Sequence, residues 1–113
     1  MTHSELDPQI TDCIKQCRLC QRICLNFATG HCLEMGGRHT EPEHLRTMLV
    51  CAQVCGLAAD VMAMGSTLHR QVCAVCADVC DACIASCADL DGMEACIHAC
   101  ERCKEGCEAM TSL

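Results

Sequence analysis

The sequence contains no tryptophan, no tyrosine and one phenylalanine, Phe27, in 113 residues. A chain of this length is expected to fold as one domain, residues 1–113, with a modest core. Aromatic rings, which dominate most cores by area, cannot supply it here. Proline is also scarce. Pro8 and Pro42 are the two present, and both stand where a helix can begin, so nothing breaks the periodic segments that lie between and after them. Lysine and arginine number 8 against 15 aspartates and glutamates, for a net charge of −7, and they form no cluster. Nucleic acid and anionic membrane surfaces are therefore poor candidate partners. The first residues show no positive stretch followed by an apolar run, and no segment reads as a membrane span. The expectation from these absences is a cytoplasmic protein with no nucleic-acid or membrane partner.

What the chain has in place of aromatics is sulfur, as 16 cysteines and 7 methionines. Three segments repeat one pattern, C-x3-C-x2-C-x3-C: Cys13, Cys17, Cys20 and Cys24; Cys76, Cys80, Cys83 and Cys87; Cys96, Cys100, Cys103 and Cys107. Cys73 extends the second copy by one step, and Cys51 and Cys55 supply half a copy between. Steps of four and three return to one face of a helix that turns ~100° per residue, so each segment presents a stripe of thiols. Such a stripe ordinarily holds leucine, isoleucine and valine. The interior, rather than a surface cleft, becomes the candidate site of function.

The same periodicity sets the fold class, all-α. Asp7 and Pro8 open helix 1, whose stripe runs Ile10, Cys13, Cys17, Cys20, Cys24, Phe27 and His31 until Gly36 and Gly37. Thr40 with Glu43 reads as a capping box for helix 2, with His44, Met48, Cys51, Cys55, Ala58 and Met62 inward and Gly65 at its end. Ser66 or Thr67 caps helix 3, which breaks between Asp89 and Gly92. Helix 4 carries Met93, the last four cysteines and Met110. Four helices of roughly 19 to 28 residues, about 30 Å or more each at 1.5 Å rise, with short connections favour an antiparallel up-down-up-down four-helix bundle with a cysteine-lined core. Alternating steps average about 3.5 residues, the repeat that keeps stripes on neighbouring helices facing. Flanking residues Ile14, Leu19, Ile23, Val72, Val75, Val79, Ile84 and Ile97 complete the packing, while Lys15, Arg18, Arg22, Glu101, Lys104, Glu105 and Glu108 read as a solvated face.

Four uses of a thiol core compete. A few buried cysteines pack as small hydrophobes and need no function, but 16 in register exceed that use. Disulfides suit a few cross-helix pairs with converging Cβ vectors, in a secreted chain, better than an unbroken ladder. Zinc takes four ligands in a closed tetrahedral cluster, and repeated sites of four thiolates would each bury surplus negative charge with no inward lysine or arginine to offset it. The bacterial ferredoxin spacing is absent. Cu(I) is soft, accepts two or three sulfurs, and leaves a neutral core when each cation meets one bridging thiolate, so it fits a long stripe best. No His-Asp, His-Glu or Cys-His arrangement singles out an enzymatic centre with an open coordination position. A zinc-binding or thiol/disulfide structural or redox protein is the alternative.

With its thiol ladder and helical pattern, nearly the whole chain resembles the bacterial cysteine-rich four-helix-bundle copper storage proteins, of the cytosolic type. The resemblance implies many Cu(I) ions per chain held inside the bundle, copper storage and detoxification as the role, and a homotetramer. Carried over residue by residue, it assigns the stripe cysteines of helices 1, 3 and 4, with Cys51 and Cys55, as metal ligands. Two features depart from the pattern. Helix 2 continues past its two thiols with Ala58 and Met62, so the ladder thins beside the N-terminal ends of helices 1 and 3. Cys32 lies ~100° from Cys13 on an ideal helix and reaches metal only if helix 1 ends or twists near Ala28 to Gly30. Methionine and histidine gather at both ends of the expected bundle: His31, Met35, His44, Met48 and Met93 at one, Met62, Met64, His69 and Met110 at the other. His44 and Met48, in line with Cys51, are the candidate terminal ligands at a mouth. His3, His39 and His98 read as surface or tail residues.

Overall fold

A computed structural model describes residues 7–113, so His3 lies outside the described residues. The elements are α1 (Pro8–Thr29), α2 (His31–Met35), a 3-10 turn (Gly37–Thr40), α3 (Pro42–Ala63), α4 (His69–Cys87) and α5 (Glu94–Met110), with no strand among the described residues. α1 and α4 each pack against both α3 and α5. Each of these four helices therefore has two antiparallel neighbours around a common axis, which is the expected up-down-up-down bundle.

The helix ends show how local chemistry sets the boundaries. Asp7 Oδ1 accepts a hydrogen bond from Gln9 N at 2.7 Å, and Pro8 occupies the first turn, as expected for this start. The first helix does not run on to Gly36. Thr29 Oγ1 donates back to Leu25 O at 2.7 Å, and Gly30 leaves helical geometry at φ −121°, ψ −88°. A Cβ at Gly30 would stand 2.9 Å from Asn26 O, so this break needs the glycine. α2 resumes with a rotated face, which brings Cys32 into the interior.

Two expected caps are not made. Pro42 disfavours a helical residue before it, so Glu41 is extended, at φ −60° and ψ 136°, and α3 starts at the proline without a side-chain cap. Thr40 instead donates to Gly37 O at 2.9 Å and closes the 3-10 turn, so the Thr40–Glu43 capping box is absent. α4 begins at His69 rather than directly after Ser66 or Thr67. Ser66 Oγ accepts from Leu68 N at 3.1 Å, forming a local turn that competes with a capping role.

Around the thiols, Ile14, Ile23, Val72, Val79, Ile84 and Ile97 pack partly buried against the core. Val75 does not. It lies ~200° from Cys73 on the helix and is 52% exposed. α3 buries a second row of small residues, Ala52, Gly56 and Ala59, beside its inward series. Arg18 pairs with Asp60 at 2.7 Å across α1 and α3, and Lys104 with Asp81 at 3.0 Å across α5 and α4. Both pairs are largely solvated, so they contribute little to stability.

α3 also corrects the reading that no segment reaches membrane-spanning length. It spans 22 residues, and its most apolar 18-residue stretch has a mean hydropathy of 1.4, long and apolar enough to cross a bilayer by length and composition. The apolar character comes mostly from leucine and valine, of which Leu49, Val50 and Leu57 are exposed, while its Cys and Met residues face the bundle.

Candidate metal centre

All sixteen cysteines are free and buried. Cys13 is 2% exposed and the other fifteen are 0% exposed, which follows from the facing stripes of antiparallel neighbours. Their sulfurs form a continuous ladder. Cys107 Sγ lies 4.0 Å from Cys13 and 3.6 Å from Cys17. Cys103 lies 3.6 Å from Cys17, 3.7 Å from Cys55 and 3.8 Å from Cys76. Cys80 is 3.9 Å from both Cys51 and Cys55. On the α1–α5 side, Cys20 approaches Cys100 at 3.6 Å, and Cys24 approaches Cys100 at 3.9 Å and Cys96 at 3.8 Å. Cys73 faces Cys107 and Cys13, and Cys87 faces Cys83 and Cys96.

These separations have a chemical meaning. They are far longer than the ~2.05 Å of a disulfide. A metal at the centre of three sulfurs ~3.9 Å apart lies ~2.3 Å from each, about the length of a metal–thiolate bond. Four groups of four sulfurs lie within 4.8 Å of one another: Cys17, Cys76, Cys103 and Cys107; Cys20, Cys24, Cys51 and Cys100; Cys20, Cys55, Cys80 and Cys103; Cys24, Cys83, Cys96 and Cys100. Cys20, Cys24, Cys100 and Cys103 each belong to two of these groups. Four closed tetrahedral sites would need four separate sets of ligands, whereas shared sulfurs suit ions bridged by common thiolates.

The surroundings hold no positive charge that could balance a store of bare thiolates. Among the described residues the buried polar side chains are His39, His44 and His69. Burial pushes the Cys32 thiol up, reinforced by Cys96 and Cys83, and burial with His39 nearby pushes the His44 imidazole down. Along the ladder, thiols that donate are held up, Cys24 and Cys80 by bonds to Cys100 and Cys55 and Cys107 by bonds to Cys103, while sulfurs that accept are held down, Cys103 from Cys107 and Cys51 from Cys100. With no buried lysine or arginine among the described residues to balance thiolates, the metal-free core is one of neutral thiols, and a bound cation must displace their protons.

At the end formed by α2, the start of α3 and the start of α5, the ladder changes composition. Cys32 Sγ lies 3.7 Å from His44 Nε2, 3.8 Å from Met48 Sδ and 3.9 Å from Met93 Sδ. Ser86 Oγ holds His44 Nδ1 at 2.7 Å, which fixes the ring. Cys32, His44 and Met48, expected from sequence, therefore meet, and Met93 joins them. His39 was expected at the surface but is 6% exposed. The 3-10 turn tucks its ring inward, where Nε2 donates to Asp91 O at 2.8 Å. His31 Nε2 donates to the same carbonyl at 2.9 Å, and the two rings stack edge to face at 5.3 Å. Gly92, at φ 77°, gives His31 this space, since a Cβ there would stand 2.7 Å from the ring. These two histidines anchor the α4–α5 connection and leave His44 to face the sulfurs. Met35 and Met64 are exposed at 48% and 76%, and neither joins an end cluster.

Neutral buried thiols give the metal-free protein a defined pH response. Cys32, raised by burial, keeps its proton where an unfolded chain, with that thiol near the ordinary 9.0, loses it, so this stabilisation is present below 9.0 and is lost as pH rises through the raised folded value. Reduced, metal-free protein is expected to show a strongly helical circular dichroism spectrum at neutral pH and a Tm that falls as pH rises past 9.0. A random-coil spectrum, or a Tm that does not respond, contradicts a core of protonated thiols.

Comparison with known proteins agrees with this geometry. The family model for copper storage proteins matches residues 6–112. A protein of Nitrosospira multiformis is 46% identical, with a TM-score of 0.92 over 95% of this chain and 98% of that one. The Cu(I)-bound copper storage protein BsCsp3 is 35% identical, with a TM-score of 0.82 over 91% and 98% of the two chains. A cytosolic copper storage protein from Streptomyces lividans, solved with five coppers, is 29% identical, with a TM-score of 0.78 over 93% of each chain. A buried ladder of shared sulfurs inside a four-helix bundle, matched along nearly its whole length, places this chain in the copper storage protein family.

Proposed function

We propose that this protein binds and stores many Cu(I) ions through the thiolates lining its bundle, buffering free copper as storage and as protection. The observation that carries the reading is the sharing of sulfurs between neighbouring groups in a core without buried lysine or arginine. A monovalent soft cation that replaces one thiol proton leaves such a core neutral however far it fills, which a divalent ion in closed tetrahedra does not. The ligand set is Cys13, Cys17, Cys20, Cys24, Cys32, Cys51, Cys55, Cys73, Cys76, Cys80, Cys83, Cys87, Cys96, Cys100, Cys103 and Cys107, with His44 and Met48 as terminal ligands. One domain spanning 1–113, no catalytic role, a cytoplasmic setting and a homotetramer belong to the same proposal, and the mass in solution checks the last.

Capacity tests the reading directly. Anaerobic titration of the reduced protein against a chromogenic Cu(I) chelator is expected to saturate on the order of 16 Cu(I) per chain, one per thiolate. Saturation at four or fewer equivalents, or preferential formation of stable zinc tetrads, supports the alternative of a zinc or structural thiol protein.

The mixed cluster at His44 acts as the mouth. Imidazole and thioether bind Cu(I) less firmly than bridging thiolates, which suits passing an ion on to Cys32 and the ladder beyond. Removing His44 and Met48 together is expected to slow stopped-flow transfer to or from a competing chelator while capacity stays nearly intact. The control pair is Met62 with Met110, and a larger rate change there would move the mouth to the opposite end.

A further inference from the structure

The end of the bundle opposite His44 has no assigned ligand beyond its cysteines, yet it holds the one buried polar atom without a hydrogen-bond partner among the described residues, His69 Nε2. The side chain is 6% exposed. Its other nitrogen, Nδ1, lies 2.9 Å from Ser66 O. A carbonyl oxygen only accepts, so Nδ1 donates in this contact, the tautomer whose neutral form carries its lone pair at Nε2. This is the orientation that metal-bound histidines adopt, with the distal N–H tied to a backbone carbonyl and the free lone pair aimed at the ion.

Soft ligands surround the same end. His69 stands four residues before Cys73, on the same helical face, and is followed along that stripe by the whole ladder. Met62 continues the inward series of α3 and, with His69, lines a pocket of ≈ 220 Å³ that opens to solvent beside Ser66 and Arg70. Met110 continues the α5 stripe past Cys107 and is 1% exposed, as is Met62. Met110 and Cys13 also line a neighbouring ≈ 370 Å³ groove between α1 and α5. The thinning of the ladder at this end, where Ala58 and Met62 replace thiols on α3, is thus offset by one imidazole and two thioethers.

We infer that His69 Nε2, with the thioethers of Met62 and Met110 and the Cys73 sulfur, forms a second terminal Cu(I) site at the end opposite His44. The inference rests on Cu(I) as the cargo and adds a ligand set. No net charge is added when the imidazole and thioethers bind, so the ion there is balanced by the Cys73 thiolate alone, whose proton is released to solvent. The site is the weaker neighbour of the thiolate core and fills late in loading.

The ring nitrogen itself reports the outcome. Uniformly ¹⁵N-labelled protein, reduced and anaerobic, is titrated with Cu(I) while long-range ¹H–¹⁵N spectra follow the imidazoles and the sulfur-to-copper absorption band follows the core. The His69 signals are assigned by their loss in His69→Gln, whose metal-free helical spectrum is checked first. The expected result is a large upfield shift of His69 Nε2 late in the titration, with exposed His98 unmoved as the control. Copper uptake by the thiols with His69 Nε2 unshifted at saturation overturns the end site and leaves storage standing. No copper uptake at all overturns both. Should His69→Gln fail to fold, Met62→Leu with Met110→Leu supplies the second arm, in which a smaller or earlier-reversed His69 shift supports the shared site and an unchanged one overturns the thioether part.

Discussion

The structure depends on one constraint: sulfurs 3.6 to 4.0 Å apart fill the interior with no buried lysine or arginine to balance their charge. While metal is absent, protonation meets that constraint, because neutral thiols pack as small hydrophobes and exchange weak hydrogen bonds. When metal arrives, each thiolate can be balanced only by a cation of equal charge that tolerates shared ligands. The same requirement explains the composition. Aromatic or branched side chains on the stripes would interrupt sulfur-to-sulfur contact, so Ile14, Ile23, Val79 and Ile84 are held to the flanks of the helices.

Regularity in the middle of the bundle contrasts with irregularity at the ends. Between Cys13 and Cys24 the helix keeps its register, and every inward step is a thiol. Beyond Thr29 the chain breaks at Gly30, turns Cys32 inward, and uses His31 and His39 to pin the α4–α5 connection through one carbonyl. The soft neutral ligands, His44, Met48 and Met93, gather where this irregular segment closes the tube. An ion can then be held by ligands that neither gain nor lose a proton before it meets the thiolates. A gradient from weak terminal ligands to bridging thiolates is written along the bundle axis.

Much of this was legible in the sequence because helical periodicity and thiol chemistry act at short range. The spacing of Cys76, Cys80, Cys83 and Cys87 fixes one face of one helix, and the same spacing on α1 and α5 gives the bundle. The helix boundaries were less legible because they turn on competing local hydrogen bonds. Thr40 fitted a capping box, but Pro42 sets the start of α3 and leaves Thr40 to the 3-10 turn. Gly30 gave the one signal for the break that brings in Cys32. The burial of His39 gave none, since it depends on the Asp91 carbonyl more than fifty residues away. Val75 read as a core valine by type, yet its angle from Cys73 points it outward. α3 reached spanning hydropathy because its leucines and valines, among them the exposed Leu49, Val50 and Leu57, add to its buried Cys, Met and Ala.

The central claim, that neighbouring ions share thiolates in a neutral core, is tested most directly by X-ray absorption at the copper edge of fully loaded protein. The account predicts monovalent copper, a first shell dominated by two or three sulfurs at ~2.3 Å, and short copper-to-copper vectors from bridging. A first shell dominated by nitrogen or oxygen, or sulfur ligation with no copper neighbour, would contradict it.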